Sequence, residues 1–532
     1  MNTYNANALV TGFFLLLGLV LAIFLGDSVG TGRYSILAVL MVVGLGIPLL
    51  LKLAADYWVL ILVGVTFTSR SPLLPVPLHV NELLTMAATL GFTLQVIMRR
   101  VNLKVGWDII DYLIALNFLW LIVTFIKNPV GVAFLGSEMV GGRKYLTLGF
   151  AFCAYYVLSR SHLPPRWARP LPIILAFAWA LPHALIATSV IFPDLGPVIG
   201  RVYAIEAAEA ATGQQQQQGS LMSEGRILGL ERTAVPIFLA MCAYYPPITF
   251  ITPLHPVRLM LFLCLFVATG LAGFRSFLLA FVGYMVAGTL LRGRTRDLIP
   301  LGTIAALGVA ILAISVQSGF PVPKTIQRAL SILPLGWDPE AVQDAQNTAD
   351  WRVDMWRDAW NDPNYFKDKV FGDGFGYTYQ EMLLFANQME GYQGLMGGAS
   401  YEMFIIRGSL HNGPLSSLRY GGFIGLILLS ALMITTAIYA VKVVRASTNT
   451  VYMPIALFTA IPLVYEVFAF YIIFGAYDQH LSQYFIGVGM LNLINRSLPE
   501  PVTVSSRQGG HLAKAAAALP SAAITVPTNR IP

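Results

Sequence analysis

The chain has few charged residues and few cysteines for its length. Of its 532 residues, 11% are charged and 56% are hydrophobic, whereas soluble domains carry about 25% charged residues. A soluble core cannot bury this much apolar surface, so the composition excludes an ordinary soluble protein and predicts a multi-pass membrane protein. Basic segments interleaved with aromatic residues are also lacking, which argues against nucleic-acid binding despite the net charge of +7.

Cysteine is too scarce to build a disulfide framework or a metal site. Cys153, Cys242 and Cys264 all fall within apolar segments, and no CxxC pair occurs. The acidic residues between positions 338 and 350 lack the spacing of cation ligands. We therefore expect no metal and no cofactor.

Fourteen apolar segments are candidates for membrane spans, because a span needs about 20 mostly apolar residues. Three of them are short, so the sequence predicts an all-α polytopic membrane protein with about 12–14 transmembrane helices. The first segment has no basic N-terminal region and no clear cleavage site, and we expect it to be an uncleaved span. The segments are residues 8–26, 34–51, 56–69, 82–98, 109–126, 145–159, 171–192, 234–250, 257–273, 276–291, 299–317, 412–441, 452–475 and 480–494.

Basic residues in the connecting loops predict the orientation. Clusters follow spans four, six, ten and twelve, which places both termini in the cytoplasm and the loops at residues 193–233 and 318–410 outside. Arg143 and Lys144 oppose this assignment, as do Arg201, Arg226 and Arg232 in a longer loop. The supporting clusters are Arg99, Arg100 and Lys104; Arg160, Arg166 and Arg169; Arg292, Arg294 and Arg296; and Lys442 and Arg445.

Four regions follow from this pattern. The polar tract Gln214–Gln218 predicts a mobile external loop at residues 193–233, and the Ala-, Pro-, Ser- and Thr-rich C-terminus predicts a disordered tail. The regions are an N-terminal transmembrane bundle (1–317), a large, partly helical periplasmic loop (318–410), C-terminal transmembrane helices (411–496) and a cytoplasmic tail (497–532).

The large loop contains local patterns of its own. Residues 349–360 have helical periodicity, with Asp362-Pro363 as the stop signal. The segment Gly372–Gly376 predicts turns, and residues 379–388 can form another short helix. The predicted caps of the first helix are Asn347, Thr348 and Asp350, and the residues that recur on one of its faces are Arg352, Trp356 and Trp360.

Three residues are the strongest candidates for chemistry. His411 can accept a proton from a hydroxyl, but it can equally be an interfacial histidine beside a helix cap. Arg275 lies between two spans and suits phosphate binding, or else it only anchors a helix end. Arg352 can be a solvated loop residue. The predicted orientation nevertheless places all three at one membrane face, where they suit a pyrophosphate and a hydroxyl to be activated.

Other titratable residues admit structural explanations. Glu466 is an isolated acid in an apolar span, which can be functional or can serve as a hydrogen bond within the bundle. His183 and His480 are expected to be structural. The aromatic residues of the large loop can stack on sugar rings or form the small core of the loop.

Three motifs together resemble the bacterial O-antigen ligase and O-antigen polymerase superfamily. They are Thr269–Ser276, which ends in Phe-Arg-Ser; Trp351–Trp356, followed by the Gly-x-Gly segment Phe371–Gly376; and His411-Asn412, followed by a glycine-rich helix start at Gly421–Gly425. Phe274 and Arg419-Tyr420 depart from the family pattern.

The resemblance implies a metal-independent glycosyltransferase of the GT-C type. Such a protein moves a glycan from undecaprenyl pyrophosphate at the periplasmic face of the cell inner membrane. Arg275 and Arg352 would bind the pyrophosphate, and His411 would activate the acceptor hydroxyl or orient the donor. The acceptor would be lipid A core for a ligase or a second lipid-linked glycan for a polymerase, with membrane lipid and polysaccharide-assembly proteins as further partners. Candidate substrate-binding residues are Asn412, Trp356, Arg357, Ser276 and Arg407.

Two other classes remain open. A transporter or flippase of lipid-linked glycans is expected to have paired charges near the bilayer midplane and broken helices in symmetry-related halves. The sequence shows only the isolated Glu466 and no internal repeat. An assembly protein would use the large loop as a docking surface.

Overall fold

Helices dominate the computed structural model of the chain. The predicted spans at residues 8–26 and 34–51, most of the span at 56–69, the short helix at 379–388 and nearly all of the tail lie outside the residues that the structure describes. Those described are 58, 61, 62, 64, 79–98, 107–130, 139–202, 227, 229–272, 274–320, 322, 324–331, 333, 336–363, 365–378, 405, 408 and 410–499.

Most described helices correspond to predicted spans, and short helices fill the connections. Short 3₁₀ turns occur at Pro193–Leu195, Pro247–Phe250 and Thr295–Asp297. The helices are α1 (Val80–Ile97), α2 (Ile109–Lys127), α3 (Gly142–Leu158), α4 (Pro165–Ala168), α5 (Leu171–Ile191), α6 (Gly196–Val202), α7 (Leu230–Tyr244), α8 (Pro256–Leu271), α9 (Arg275–Leu291), α10 (Leu298–Gln317), α11 (Lys324–Leu330), α12 (Pro339–Asn361), α13 (Gly413–Ser447), α14 (Met453–Ile472) and α15 (Tyr477–Ser497).

Five helical segments in the described part of the chain are long and apolar enough to cross a membrane. The segment Thr295–Gln317, which includes α10, buries none of its most apolar residues inside the protein. A helix that is apolar on all sides and unburied requires an apolar surrounding such as lipid. These features agree with the predicted all-α membrane protein. The other four segments are Ile109–Lys127, Leu171–Ile191, Gly413–Ser447 and Met453–Ile472.

The helices form a bundle in which α15 packs along α3 and α13 packs against α2, α14 and α15. At one end, the Leu163 N–H donates to Ser497 Oγ at 2.7 Å, and the Tyr452 hydroxyl donates to the Leu163 carbonyl at 3.0 Å. At the other end, which we call the loop end, residues 318–410 connect α10 to α13. A two-residue antiparallel pair, Met139–Val140 with Tyr377–Thr378, attaches this connection to the start of α3.

Two of the basic residues that oppose the predicted orientation are ion-paired at the loop end. Arg143 Nη2 lies 3.3 Å from the Glu82 carboxylate, and Lys144 Nζ lies 3.1 Å from Asp478. These ion pairs do not test the orientation, because the positive-inside rule counts basic residues and not net charge.

Helix α12 begins at Pro339, ten residues before the predicted start at Ala349. The predicted caps at Asn347, Thr348 and Asp350 were therefore wrong, because these positions lie inside the helix. The actual cap is Asp338, whose side chain accepts a hydrogen bond from the Glu340 N–H at 3.0 Å. Proline at the first helical position and an acid in the first turn complete a standard start signal, and the predicted stop at Asp362-Pro363 is confirmed.

The sequence predicts a mobile loop at residues 193–233, but both described ends of this segment are helical. It opens with a 3₁₀ turn and with α6, and α7 begins at Leu230 instead of residue 234. Pro193 favours the turn because proline has a preset φ at a helix start. The glutamine tract lies outside the described residues.

Helix α13 is broken at Gly422, two residues after the buried pair Arg419 and Tyr420. Gly422 has φ 65° and ψ −170°, and the large loop satisfies the interrupted backbone. The Phe423 N–H donates to the Lys369 carbonyl at 2.8 Å, and the Asp373 N–H donates to the Arg419 carbonyl at 2.9 Å. The Gly-x-Gly segment of the loop is therefore part of the helix bundle and does not project from it.

We expect Gly422→Ala to destabilise the protein strongly. The backbone region of Gly422 is essentially restricted to glycine and costs about 1–3 kcal/mol for other residues, and an added Cβ would lie 2.1 Å from the Val370 carbonyl oxygen. The melting temperature in detergent should fall by several degrees. Gly308→Ala in α10 is the matched control, because a Cβ there meets no atom within 4 Å, and helical Gly→Ala changes raise stability. Equal melting temperatures for the two variants would contradict the broken helix.

Candidate functional site

Arg275 is the first residue of α9 and fastens the large loop to the bundle. Its Nε donates to the Arg328 carbonyl at 3.0 Å, and its Nη2 donates to Ser331 Oγ at 3.0 Å. These bonds orient the guanidinium at the C-terminal end of α11, where carbonyl groups favour a cation. The N-terminus of α9 adds a positive field at the same place.

Arg352 of α12 brings a second positive charge to the same place. It is half-buried, and burial together with the positive charges of Arg275 and Arg328 lowers its pKa. Arg352 of α12 is thus within electrostatic range of guanidinium groups on α9 and α11. We call Arg275, Arg328 and Arg352 the arginine cluster.

The arginine cluster contains one N–H donor that makes no hydrogen bond among the described residues. The Nε of Arg352 is buried and has no hydrogen-bond partner within the described part of the chain. A buried N–H without a partner is costly, and concentrated like charges add to that cost. An anion with several oxygen atoms would relieve both, since guanidinium groups bind phosphate oxygens with paired hydrogen bonds.

His411 lies in a tight turn directly before α13. Its backbone has a positive φ of 54°, which histidine tolerates better than most residues. The imidazole contacts the Phe474 ring edge-on, with ring centres 5.2 Å apart. Asn412 caps the helix, because its Oδ1 accepts from the Leu415 N–H at 3.0 Å. Both the turn and the helix start that follows it are therefore fixed.

Trp356 connects the arginine cluster to the histidine turn. Its indole N–H donates to the carbonyl of Leu410 at 2.7 Å, next to His411 in the chain. Trp356 lies four residues after Arg352, about 6 Å along α12. The face of α12 that carries Trp356 also packs into an apolar cluster with the turn, and the cluster contains Met355, Ala359, Phe366, Ile405, Leu410 and Leu418.

A buried ion pair fixes the other side of the histidine turn. Arg419 Nη1 lies 2.8 Å from Asp373, and both side chains are 9% exposed. Next to it, Lys144 Nζ donates to the Tyr420 hydroxyl at 2.7 Å. Arg419 and Tyr420, which depart from the family pattern, therefore join the broken helix to the loop.

The remaining candidate residues occupy different environments. Arg357 is exposed and pairs with Asp354 at 3.1 Å, so it stands apart from the arginine cluster. Ser276 is half-buried in the first turn of α9. Trp356 and Trp351 pack against the apolar cluster, as expected for a loop core. Arg407 lies outside the described residues.

Sequence reasoning missed two features. Arg328 was not a candidate, because a single arginine in a short helix gives no signal without its tertiary neighbours. Glu466 was described as isolated, yet its Oε2 lies 3.1 Å from Nε2 of His480. The turn between α14 and α15 brings these residues together, and a hairpin of two consecutive helices could have suggested the pair.

No protein-family model matches the sequence, and no curated protein matches it significantly. The geometry therefore carries the functional argument by itself: a cluster of three arginines, joined through one loop helix to a histidine at a helix start, in an α-helical protein with apolar helices long enough to span a membrane.

Proposed function

We propose that the protein is a membrane glycosyltransferase that moves a glycan from undecaprenyl pyrophosphate to an acceptor hydroxyl. The observation that carries the proposal is the approach of Arg275, Arg328 and Arg352 from three separate helices. Guanidinium groups that approach from several elements suit a ligand with several negative charges, because each can bind phosphate oxygens with paired hydrogen bonds. The resemblance to O-antigen ligases and polymerases points to the same ligand.

In the proposed reaction, the acceptor oxygen forms a bond to the anomeric carbon of the donor sugar. The bond from that carbon to the pyrophosphate oxygen breaks, and its electron pair leaves with the pyrophosphate. The arginine cluster stabilises the charge that grows on this leaving group. His411 accepts the proton of the acceptor hydroxyl.

We infer the side of the membrane on which the reaction occurs from the predicted orientation of the loop end. The four basic clusters follow the even-numbered spans, which under the positive-inside rule makes the loop end periplasmic. The donor lipid would then reach the arginine cluster from the outer leaflet of the inner membrane, with both chain termini in the cytoplasm.

A flippase or transporter of lipid-linked glycans is the second candidate, and two observations favour it. Glu466 and His480 form a hydrogen-bonded pair between α14 and α15, and α13 is broken at Gly422. Paired titratable groups inside apolar helices and interrupted helices are typical of transporters.

Reconstitution in liposomes distinguishes the two candidates. The purified protein would be supplied with undecaprenyl-pyrophosphate glycan and either lipid A core or more donor as acceptor, with EDTA present. We expect the donor to be consumed. Glycan attached to lipid A core indicates a ligase, and longer lipid-linked chains indicate a polymerase. Movement of the donor between leaflets without consumption would contradict the transferase and support the transporter.

A further inference from the structure

A cavity of about 280 Å³ lies between α5, α7, α9 and α15, outside the site described above. This volume is close to the lower end of the range for small-molecule sites, about 300–1,000 Å³. Its lining combines aromatic rings with hydrogen-bonding groups. The lining residues are Trp179, His183, Arg232, Val235, Phe277 and Gln479.

A proline lies in α5 beside this cavity. Pro182 lies inside the helix, and proline removes one backbone hydrogen bond and bends a helix. Pro182 lies between Trp179 and His183 in the chain, and both of these residues line the cavity. The start of α7 approaches closely here, since a Cβ on Gly229 would lie 2.5 Å from the His183 carbonyl oxygen.

Two lining groups have unused hydrogen-bonding capacity. Nδ1 of His183 is buried and has no hydrogen-bond partner among the described residues. Within the same part of the chain, the ion pair of Arg232 is a long one, from its Nε to Glu231 at 3.9 Å. The Arg232 side chain is 58% exposed, so its terminal nitrogens can be reached by an anionic ligand.

We propose that this cavity binds an acidic pyranose, such as a uronic acid residue of the glycan substrate. The indole of Trp179 offers an apolar surface to a sugar ring. His183 and Gln479 supply hydrogen bonds to hydroxyl groups, and Arg232 binds the carboxylate.

The position of the cavity relates this subsite to the arginine cluster. Phe277 lies two residues after Arg275, about 3 Å further along α9. A glycan whose pyrophosphate is bound by the arginine cluster would thus have a recognition site for one of its sugars nearby. This assignment rests on the proposed glycosyltransferase function, although sugar binding can be measured separately.

Saturation-transfer NMR on the full-length protein in detergent tests the binding directly, with free glucuronate and glucose as probes and with inorganic phosphate as a competitor, since phosphate has no carbon-bound protons to detect. We expect glucuronate to bind about tenfold more tightly than glucose. Arg232→Gln should abolish this preference, and Trp179→Leu should weaken both sugars. The exposed Trp107 provides the control Trp107→Leu, which should change neither. Equal binding of glucuronate and glucose, or tighter binding of phosphate than of glucuronate, would overturn the proposal.

A parallel transfer assay separates this proposal from the proposed function. With a uronate-containing lipid-pyrophosphate glycan as donor, Arg232→Gln should raise KM about tenfold and leave kcat nearly unchanged. Transfer with an unaltered KM in this variant would contradict the acidic-sugar subsite but would agree with the glycosyltransferase function. If the protein binds glucuronate selectively but transfers no glycan, the glycosyltransferase function is contradicted. The cavity then remains an acidic-sugar site.

Discussion

Arg352→Gln is expected to reduce glycan transfer by about 10²- to 10³-fold, the usual loss when one preorganised donor to a developing charge is removed. The guanidinium of Arg352 is half-buried beside Arg275 and Arg328, and its Nε has no hydrogen-bond partner among the described residues. Under the proposed function, we therefore expect its charge to serve the ligand and not the fold. Turnover of reconstituted protein with undecaprenyl-pyrophosphate glycan measures the loss.

The same substitution is expected to leave the melting temperature unchanged or to raise it. Burial and two neighbouring cations lower the pKa of Arg352, so folding disfavours its charged form relative to the unfolded chain. At neutral pH, where the group is charged in both states, this charge lowers stability. Its removal relieves the repulsion, whereas loss of a purely structural arginine would lower the melting temperature.

Arg357→Gln is the matched control for Arg352→Gln. Arg357 lies on the same helix, but it is exposed and pairs with Asp354, and surface pairs contribute little stability. We expect its transfer rate to be close to that of the wild type. Arg352→Lys should be intermediate, because it keeps the charge but loses the forked geometry. Full activity in Arg352→Gln would contradict the role of the arginine cluster.

His411→Asn is expected to reduce transfer by about 10²- to 10⁴-fold, the typical contribution of a general base. Asparagine tolerates the positive φ of this position, so the turn should keep its conformation. The amide cannot accept a proton near neutral pH. Binding of the donor should remain close to that of the wild type, since the arginine cluster is intact.

His162→Asn is the control variant for His411→Asn. His162 is exposed in the connection between α3 and α4, at the end opposite the loop end, and this variant should be fully active. A His411→Asn protein that transfers glycan at the wild-type rate would show that the imidazole only packs against Phe474. Loss of donor binding together with transfer would assign His411 to binding and not to proton transfer.

Hydropathy predicted the helices well because each span is a long apolar segment, and the predicted segment at 109–126 corresponds to α2 within one residue. The start of α12 was missed because its first ten residues are mostly polar, and the buried positions among them, Ala341 and Ala345, carry only small side chains. The cap at Asp338 and the proline after it carried the signal instead. The break at Gly422 was not predicted, because it depends on backbone hydrogen bonds from a loop about 50 residues earlier.

The candidate site was only partly predictable from the sequence. Arg275 and Arg352 were candidates because their residue type and sidedness suit phosphate. Arg328 and the pair of Glu466 with His480 were missed, since neither is visible without tertiary contacts. The role of Trp356 in holding the Leu410 carbonyl also required the folded structure.

A cryo-electron microscopy structure of the protein in a lipid nanodisc with undecaprenyl pyrophosphate tests the central claim most directly. We predict density for the two phosphates between the guanidinium groups of Arg275, Arg328 and Arg352, with the polyprenyl chain entering the membrane at the loop end. Phosphate density at the opposite end of the bundle, or beside Glu466 and His480 with the arginine cluster empty, would contradict the account.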